Sequence, residues 1–506
     1  MEKYDYNKLQ NGSDIRGVAL YGVPGEEVNL NAEATSRIAK AFAFWLTNQT
    51  GKQTSDLTIA VGRDSRLSGL DLSKVFCDTL ASYGITVLYG SLASTPAMFM
   101  STLFQEYQTD GAVMITASHL PFNRNGFKFF DKNGGLEKGD ITDIITFAES
   151  DSILGRLIPN PTSTRMSIPL LDTYAAHLRQ MIMDETNQEK PLEGMHILVD
   201  AGNGAGGFFA SKVLQPLGAD TSGSQFLDPD GTFPNHPPNP EDKEAMASIC
   251  RAVKNNKADL GIIFDTDVDR SSAVDENGHE ISRNGIVAMA AALIADKYPG
   301  TTVVTDSITS TQLTEFLEGS LGVKHLRYKR GYKNVINKSK ELNQAGTCSQ
   351  LAIETSGHAA YKENYFLDDG AYLATKIVIK AALLHKEGLK ISSVLADLAE
   401  PAESTEVRIP IKGDDFAAYG DMVLSKLEEY FQNKGASIGA SIVKPNYEGV
   451  RVSFSGKISG WFLLRKSLHD PIMPLNIESD TLGGCKKISK IVKAVLKEFP
   501  NLDLSL

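Results

Sequence analysis

Ser118 stands in the run Thr116-Ala117-Ser118-His119, with Lys128 ten residues further on. A hydroxyl beside an imidazole and near an amine has the parts of an activated nucleophile and its proton-handling neighbours. Residues 111–116 form a short apolar run that reads as a buried strand. Pro121 and Asn125-Gly126 then read as a tight loop that forbids a helix, so the serine is displayed at a strand end. Turn serines are common in such places, and the rest of the chain decides between the two roles. A second centre follows the apolar run 258–264: Asp265, Asp267 and Asp269, with Arg270 next to them. Carboxylates at alternate positions of an extended segment share one side and can converge on a hard cation; the alternative is a solvated acidic turn, which repulsion among three aligned acids disfavours. Oxygen-only donors favour Mg²⁺, Mn²⁺ or Ca²⁺ over zinc. The acids and Glu276 also fall at EF-hand positions one, three, five and twelve, but Arg270 replaces the glycine that loop needs, and both flanks read as extended.

These groups need elements to position them. Helical periodicity covers 33–46, 70–83, 174–183, 286–296, 371–384 and 484–499. Strand-like runs cover 57–62, 85–89, 196–200, 258–264, 301–305, 405–410, 449–454 and 460–464. Strands alternating with helices predict α/β layers, in which ligands gather at the carboxyl ends of strands. Arg16 and Arg63 are expected in a turn and at a strand end. Arg330 belongs to a basic turn, 327–333, and Arg465-Lys466-Ser467 follows a hairpin strand. Glu354-Thr355-Ser356-Gly357-His358 closes another strand with short polar groups suited to sugar hydroxyls. The glycine run 201–207 suits either a dinucleotide pyrophosphate or close strand–helix packing. Residues 153–161 read as a linker, and composition shifts again near 400–404.

The 506 residues suffice for three or four domains. A net charge of −11 argues against non-specific affinity for nucleic acid or anionic membrane. No run approaches the roughly 18 apolar residues of a membrane span, and the first residues lack an apolar export segment. Four scattered cysteines without metal-like spacing point to reduced thiols and a cytoplasmic setting. A loop nucleophile, a cation site and basic groups at strand ends make up the set that phosphoryl transfer requires. A serine hydrolase would instead show a Gly-x-Ser-x-Gly elbow.

From Ser13-Asp14-Ile15-Arg16-Gly17 to the final domain, the chain resembles the α-D-phosphohexomutase family. Thr116-Ala117-Ser118-His119 with Asn125-Gly126-Phe127-Lys128 is similar to its phosphoserine loop, and 265–270 to its metal loop. Glu354 to His358 resembles its sugar loop, and Arg465-Lys466-Ser467 its phosphate loop. The resemblance implies three α/β domains with mixed sheets and a smaller C-terminal α+β domain around a central cleft, at 1–158, 159–284, 285–400 and 401–506. It implies a phosphorylated Ser118 and one Mg²⁺ per subunit on Asp265, Asp267, Asp269 and a phosphate oxygen. Arg16 and Arg270 would steady the phosphoryl group. Lys128 and His119 are the acid–base candidates, and Glu354, Ser356, His358, Arg330, Arg465 and Ser467 the substrate contacts. The implied reaction interconverts hexose 1- and 6-phosphates through a bisphosphate, in a monomer or homodimer.

The chain departs from the family pattern in places. Leu468 and His469 replace small or hydroxyl residues, and Pro474 stands where an arginine is expected. Leu120 replaces an asparagine and Tyr332 a histidine. A weakened phosphate clamp leaves two outcomes open. One is a mutase that uses a sugar bisphosphate as activator. The other is a hexose 1,6-bisphosphate synthase that takes its phosphoryl group from a donor such as fructose 1,6-bisphosphate.

Overall fold

The computed structural model describes residues 4–161, 164–413, 415–456, 458–467 and 470–505. The chain falls into two compact units, Met1–Leu293 with Ser356–Leu395, and Ile294–Thr355 with Ala396–Leu506.

In the first unit, an eight-stranded sheet runs in the order Gln10–Asn11, Asp14–Val18, Arg124–Asp131, Gly111–Ile115, Thr58–Arg63, Thr86–Leu92, Arg165–Ser167, with Gly134–Gly135 folded back on Arg124–Asp131. Gly111–Ile115, Thr58–Arg63 and Thr86–Leu92 are mutually parallel, and Arg124–Asp131 is antiparallel to both of its long neighbours. Every residue of Gly111–Ile115 is buried, which explains its uninterrupted apolar run. Helix Ala32–Thr50 starts at Asn31, whose side chain accepts from the Ala34 amide, and stops at Gly51 with φ +71°. It lays Ile38, Phe42 and Leu46 into a core with Phe76, Val113, Phe127 and Phe129. A second mixed sheet pairs Ile197–Asp200 in parallel with Leu260–Phe264, which is antiparallel to Ser271–Val274. The hairpin Ala359–Tyr361/Leu367–Asp368 and helix Gly370–Lys386 complete this unit.

In the second unit, Lys324–Arg327, Thr302–Thr305 and Leu351–Ile353 form parallel strands beside helix Tyr332–Gln344. A C-terminal antiparallel sheet runs Glu403–Pro410, Ile472–Ser479, Gly460–Leu464, Val450–Phe454, Ala440–Ile442. Helices Phe416–Lys434 and Gly484–Leu496 contribute Val423, Leu427, Ile488 and Val492 to its core. Arg451 ties the two sheets together by donating to the Ser307 and Thr309 carbonyls at 2.9 and 3.0 Å, with its guanidinium 3.6 Å from the Trp461 ring.

Several local expectations change. Asn125-Gly126 is no turn. Both residues lie in strand Arg124–Asp131, where buried Asn125 donates to Ser68 Oγ, so cross-strand pairing overrides the local turn preference. Arg16 sits inside strand Asp14–Val18, opposite Gly126, rather than in a turn. The stretch expected as a linker, 153–161, packs against the end of helix Gly69–Ser82, where the Asn160 amide donates to the Ser82 carbonyl at 2.8 Å, and Arg165–Ser167 beyond it extends the sheet edge. The glycine run serves packing. A Cβ would lie 2.6 Å from the Thr266 carbonyl oxygen at Gly204 and 2.2 Å from that of Leu227 at Gly207. Among the described residues no helix is long and apolar enough to cross a membrane, and Cys77, Cys250, Cys348 and Cys485 are free thiols.

Candidate active site and metal centre

The end of strand Gly111–Ile115 delivers Ser118, and the end of strand Leu260–Phe264 delivers the acids. Ser118 is buried with φ 51°, an uncommon conformation for a residue with a side chain. Its amide donates to Thr116 Oγ1 at 2.9 Å. Its hydroxyl donates to Asp265 Oδ2 at 3.1 Å, accepts from Arg270 Nη2 at 3.2 Å and lies 3.3 Å from His119 Nδ1. Ser118 and the acidic loop, 147 residues apart in sequence, therefore meet in one place.

Asp265, Asp267 and Asp269 are all buried, and an oxygen from each lies within 4.8 Å of the others. Three buried like charges are costly unless cations compensate them. Lys128 supplies one, at 2.9 Å from Asp267 Oδ2 and in contact with Asp269 Oδ2. Arg270 supplies another, donating from Nε and Nη2 to Asp265 Oδ2 at 3.1 Å. Asp267 Oδ1 and Asp269 Oδ1 remain buried without a hydrogen-bond partner. Two orphan carboxylate oxygens in an all-oxygen donor set fit a hard divalent ion. Thr95 orients the cluster, its hydroxyl donating to Asp267 Oδ2 at 2.5 Å and its amide to the Asp267 carbonyl at 2.8 Å.

The electrostatics are strongly polarised. Burial, then the Asp269 charge, pushes Asp265 well above the usual carboxylate range. Burial acts the same way on Asp269, but Lys128, His358 and Arg270 overcome it and hold that group low. Burial, then the charges of Arg270 and Arg16, depresses His119 to about 2. Its imidazole is neutral, with Nδ1 accepting from Arg270 Nη2 at 2.7 Å. His358 is the opposite case. Burial disfavours its charge, but Asp368 and Asp269 outweigh that and raise it to about 9, with Nδ1 2.5 Å from Asp368 Oδ2. His358 reaches the cluster because its backbone bridges to Arg270 and because Gly357 has no side chain; a Cβ there would lie 2.5 Å from the Ser271 carbonyl oxygen.

Ser118, His119, Lys128, Arg270, His358 and the three aspartates thus form one constellation. Arg16 lies close enough to depress His119 and bonds Asp14 Oδ2 at 2.8 Å. Ser356 is buried one residue before the Gly357–Ser271 approach. The second unit gathers Glu354, Arg330 and Arg465. Glu354 Oε1 accepts from the Gly331 amide at 2.7 Å. Burial, then the nearby Arg330 charge, lowers Arg465. Two close guanidiniums in a partly dry setting suit an anion. Ser467 Oγ accepts from the Asp470 amide at 3.2 Å, whereas Leu468 and His469 lie outside the described residues. Pro474 lies in strand Ile472–Ser479 and offers only its carbonyl, which accepts from the Arg465 amide at 3.1 Å. Arg327 points inward, donating to the Thr309 and Ser310 carbonyls. Sequence reasoning missed Thr95, Asp306 and Asp368. Thr95 was visible only as part of a helix start, Ser94-Thr95-Pro96, and Asp306 as an acid just past a strand.

Known proteins resemble this chain along most of its length. Models of the phosphoglucomutase/phosphomannomutase alpha/beta/alpha domains I, II and III match residues 7–151, 172–278 and 282–402 in order. A phosphoglucomutase of Neisseria gonorrhoeae is 30% identical over 445 residues, covering 88% of this chain and 89% of its own. A phosphomannomutase/phosphoglucomutase of Pseudomonas syringae is 28% identical over 496 residues, covering 97% and 96%. In fold, a phosphoglucomutase/phosphomannomutase family protein of Burkholderia thailandensis superposes with a TM-score of 0.77 at 24% identity, over 98% of each chain. A phosphomannomutase-like protein of Thermus thermophilus superposes with a TM-score of 0.67 at 18% identity, over 97% of this chain and 98% of its own. With all three domain models matched in order and a relative aligned over most of both chains, the chain belongs to the phosphoglucomutase/phosphomannomutase family.

Proposed function

We propose that this enzyme interconverts hexose 1-phosphate and hexose 6-phosphate, glucose or mannose, through a phosphoserine at Ser118 and a hexose 1,6-bisphosphate intermediate. The observation that carries this reading is the meeting of the Ser118 hydroxyl with Asp265 and Arg270 beside two orphan carboxylate oxygens. The names of the Neisseria and Pseudomonas relatives point the same way.

In the forward step, the free hydroxyl of a hexose phosphate attacks the phosphorus on Ser118. The bond from phosphorus to the serine oxygen breaks, the attacking hydroxyl gives up its proton, and the serine oxygen gains one. The resulting bisphosphate turns over and returns its other phosphoryl group to Ser118 by the reverse exchange. Arg270, already bonded to Ser118 Oγ, holds the phosphoryl oxygens together with Arg16. His119, with Nδ1 3.3 Å from Ser118 Oγ, and Lys128 are the candidate proton-handling groups. Asp265, Asp267 and Asp269 would hold Mg²⁺, which supplies neutralisation of charge at the transferring phosphoryl group. Glu354, Ser356 and His358 would grip the sugar, and Arg330, Arg465 and Ser467 the phosphate that stays in place. Domain limits at 158, 284 and 400 and a cytoplasmic setting, which reduced thiols suit, belong to the same proposal.

Pro474 favours a second reading. Without a side-chain donor there, the retained phosphate is held less firmly, and the bisphosphate would escape as product. The test is product analysis with hexose 1-phosphate after priming with trace bisphosphate. Rapid formation of hexose 6-phosphate supports the mutase. Stoichiometric bisphosphate formed at the expense of a fructose 1,6-bisphosphate donor identifies the synthase instead.

A further inference from the structure

Arg66 follows the strand next to the one that carries Ser118, and it is 1% exposed. Its Nη2 donates to the carbonyls of Ser118 and Leu120, both at 2.5 Å, and its Nη1 to those of Pro121 at 2.8 Å and Arg124 at 2.9 Å. Four carbonyls converging on one buried point repel one another and are out of reach of bulk water. A planar guanidinium satisfies them together, and a lysine does not. Asp64 anchors Arg66. Its Oδ1 accepts from the Arg66 amide at 2.9 Å, its Oδ2 lies 3.4 Å from Nε, and its own amide donates to the Ile115 carbonyl at 3.1 Å. The Phe233 ring, 5.3 Å away, covers the guanidinium. The loop so clamped holds Ser118 at φ 51°, a conformation that persists only when its surroundings enforce it.

We infer that Arg66 is a positioning residue for phosphoryl transfer: its fork of carbonyl bonds sets the place of the Ser118 hydroxyl, and Asp64 sets the place of the fork. This role rests on Ser118 being the phosphoryl carrier. The test compares wild type with Arg66→Lys after phosphorylation by a hexose 1,6-bisphosphate. Phosphoserine content is read by intact mass, and single-turnover transfer to hexose 6-phosphate is followed per phosphorylated molecule. The expected result is KM within about threefold of wild type and transfer slower by about a hundredfold, the scale of a misplacement of roughly 1 Å. Guanidinium added to Arg66→Ala restores part of the rate, and methylammonium does not. A lowered Tm with a wild-type transfer rate per phosphoenzyme overturns the inference, because packing alone would give that pattern. Should Arg66→Lys not fold, Asp64→Asn carries the test, with transfer expected to slow at least about fivefold at unchanged KM; a wild-type rate there overturns the inference equally. If wild type takes up no phosphate on Ser118, the phosphoserine reading itself fails and the positioning role falls with it. Phosphorylated wild type with unaffected variants removes only the positioning role.

Discussion

At Thr95, Asp267 and Asp306, single side chains decide how much charge the protein tolerates out of water. Thr95 donates to the Asp267 oxygen that also meets Lys128, which fixes that carboxylate's orientation. Thr95→Val is therefore expected to weaken Mn²⁺ binding, followed by electron spin resonance, by about tenfold or more, as loss of an outer partner of a metal ligand does. An unchanged affinity would mean that Asp267 is oriented by Lys128 alone. Asp306 shows the same principle in the second unit. It accepts from the Thr355 amide at 3.4 Å and hydroxyl at 2.9 Å, and burial, then the Glu354 charge, raises it to about 7. The folded state holds this proton more tightly than the unfolded chain does. The resulting stability is fully present below the ordinary value of 3.8 and is lost as pH rises through about 7. Asp306→Asn removes the ionisation, so its Tm relative to wild type should rise between about pH 5 and about pH 8. A constant difference across that range would show that Asp306 does not titrate there.

At the level of strands and loops, close backbone approach matters more than side-chain chemistry. A Cβ on Gly126 would lie 2.1 Å from the Ile15 carbonyl oxygen and 3.0 Å from that of Thr116. Gly126→Ala should therefore push apart the strands carrying Arg16 and Ser118 and cost about 1–3 kcal/mol, read by denaturant unfolding, with a loss of turnover in the folded protein. Wild-type stability would contradict the pairing of Asp14–Val18 with Arg124–Asp131. This pair also marks the limit of what the sequence discloses. Strands such as Gly111–Ile115 and Leu260–Phe264 are legible because both faces are buried and the apolar run is unbroken. The acids after residue 264 and the serine after residue 115 are legible because chemistry follows strand ends. Asn125-Gly126 misleads because its turn preference is local, whereas its partner strand lies more than a hundred residues away. Arg66 and Thr95 gave no signal of a role, since an arginine just past a strand or a threonine at a helix start says nothing about four carbonyls or an aspartate distant in sequence.

Over the whole chain, the family's third segment, 282–402, is divided between the two units, with 294–355 in one and 356–395 in the other. Helix Asn284–Ala295 is apolar on every side and buries Ile286, Val287, Met289 and Ala291, so periodicity gives no hint of where one unit gives way to the next. The central claim, that Ser118 carries the phosphoryl group, is tested most directly by intact mass and peptide mapping of the purified protein after exposure to a hexose 1,6-bisphosphate and then to excess hexose phosphate. The account predicts a gain of one phosphoryl group on the Ser118 peptide, its loss on adding acceptor with Mg²⁺ present, and neither change in Ser118→Ala. A protein that interconverts hexose phosphates while Ser118 stays unmodified, or that keeps full turnover as Ser118→Ala, would contradict it.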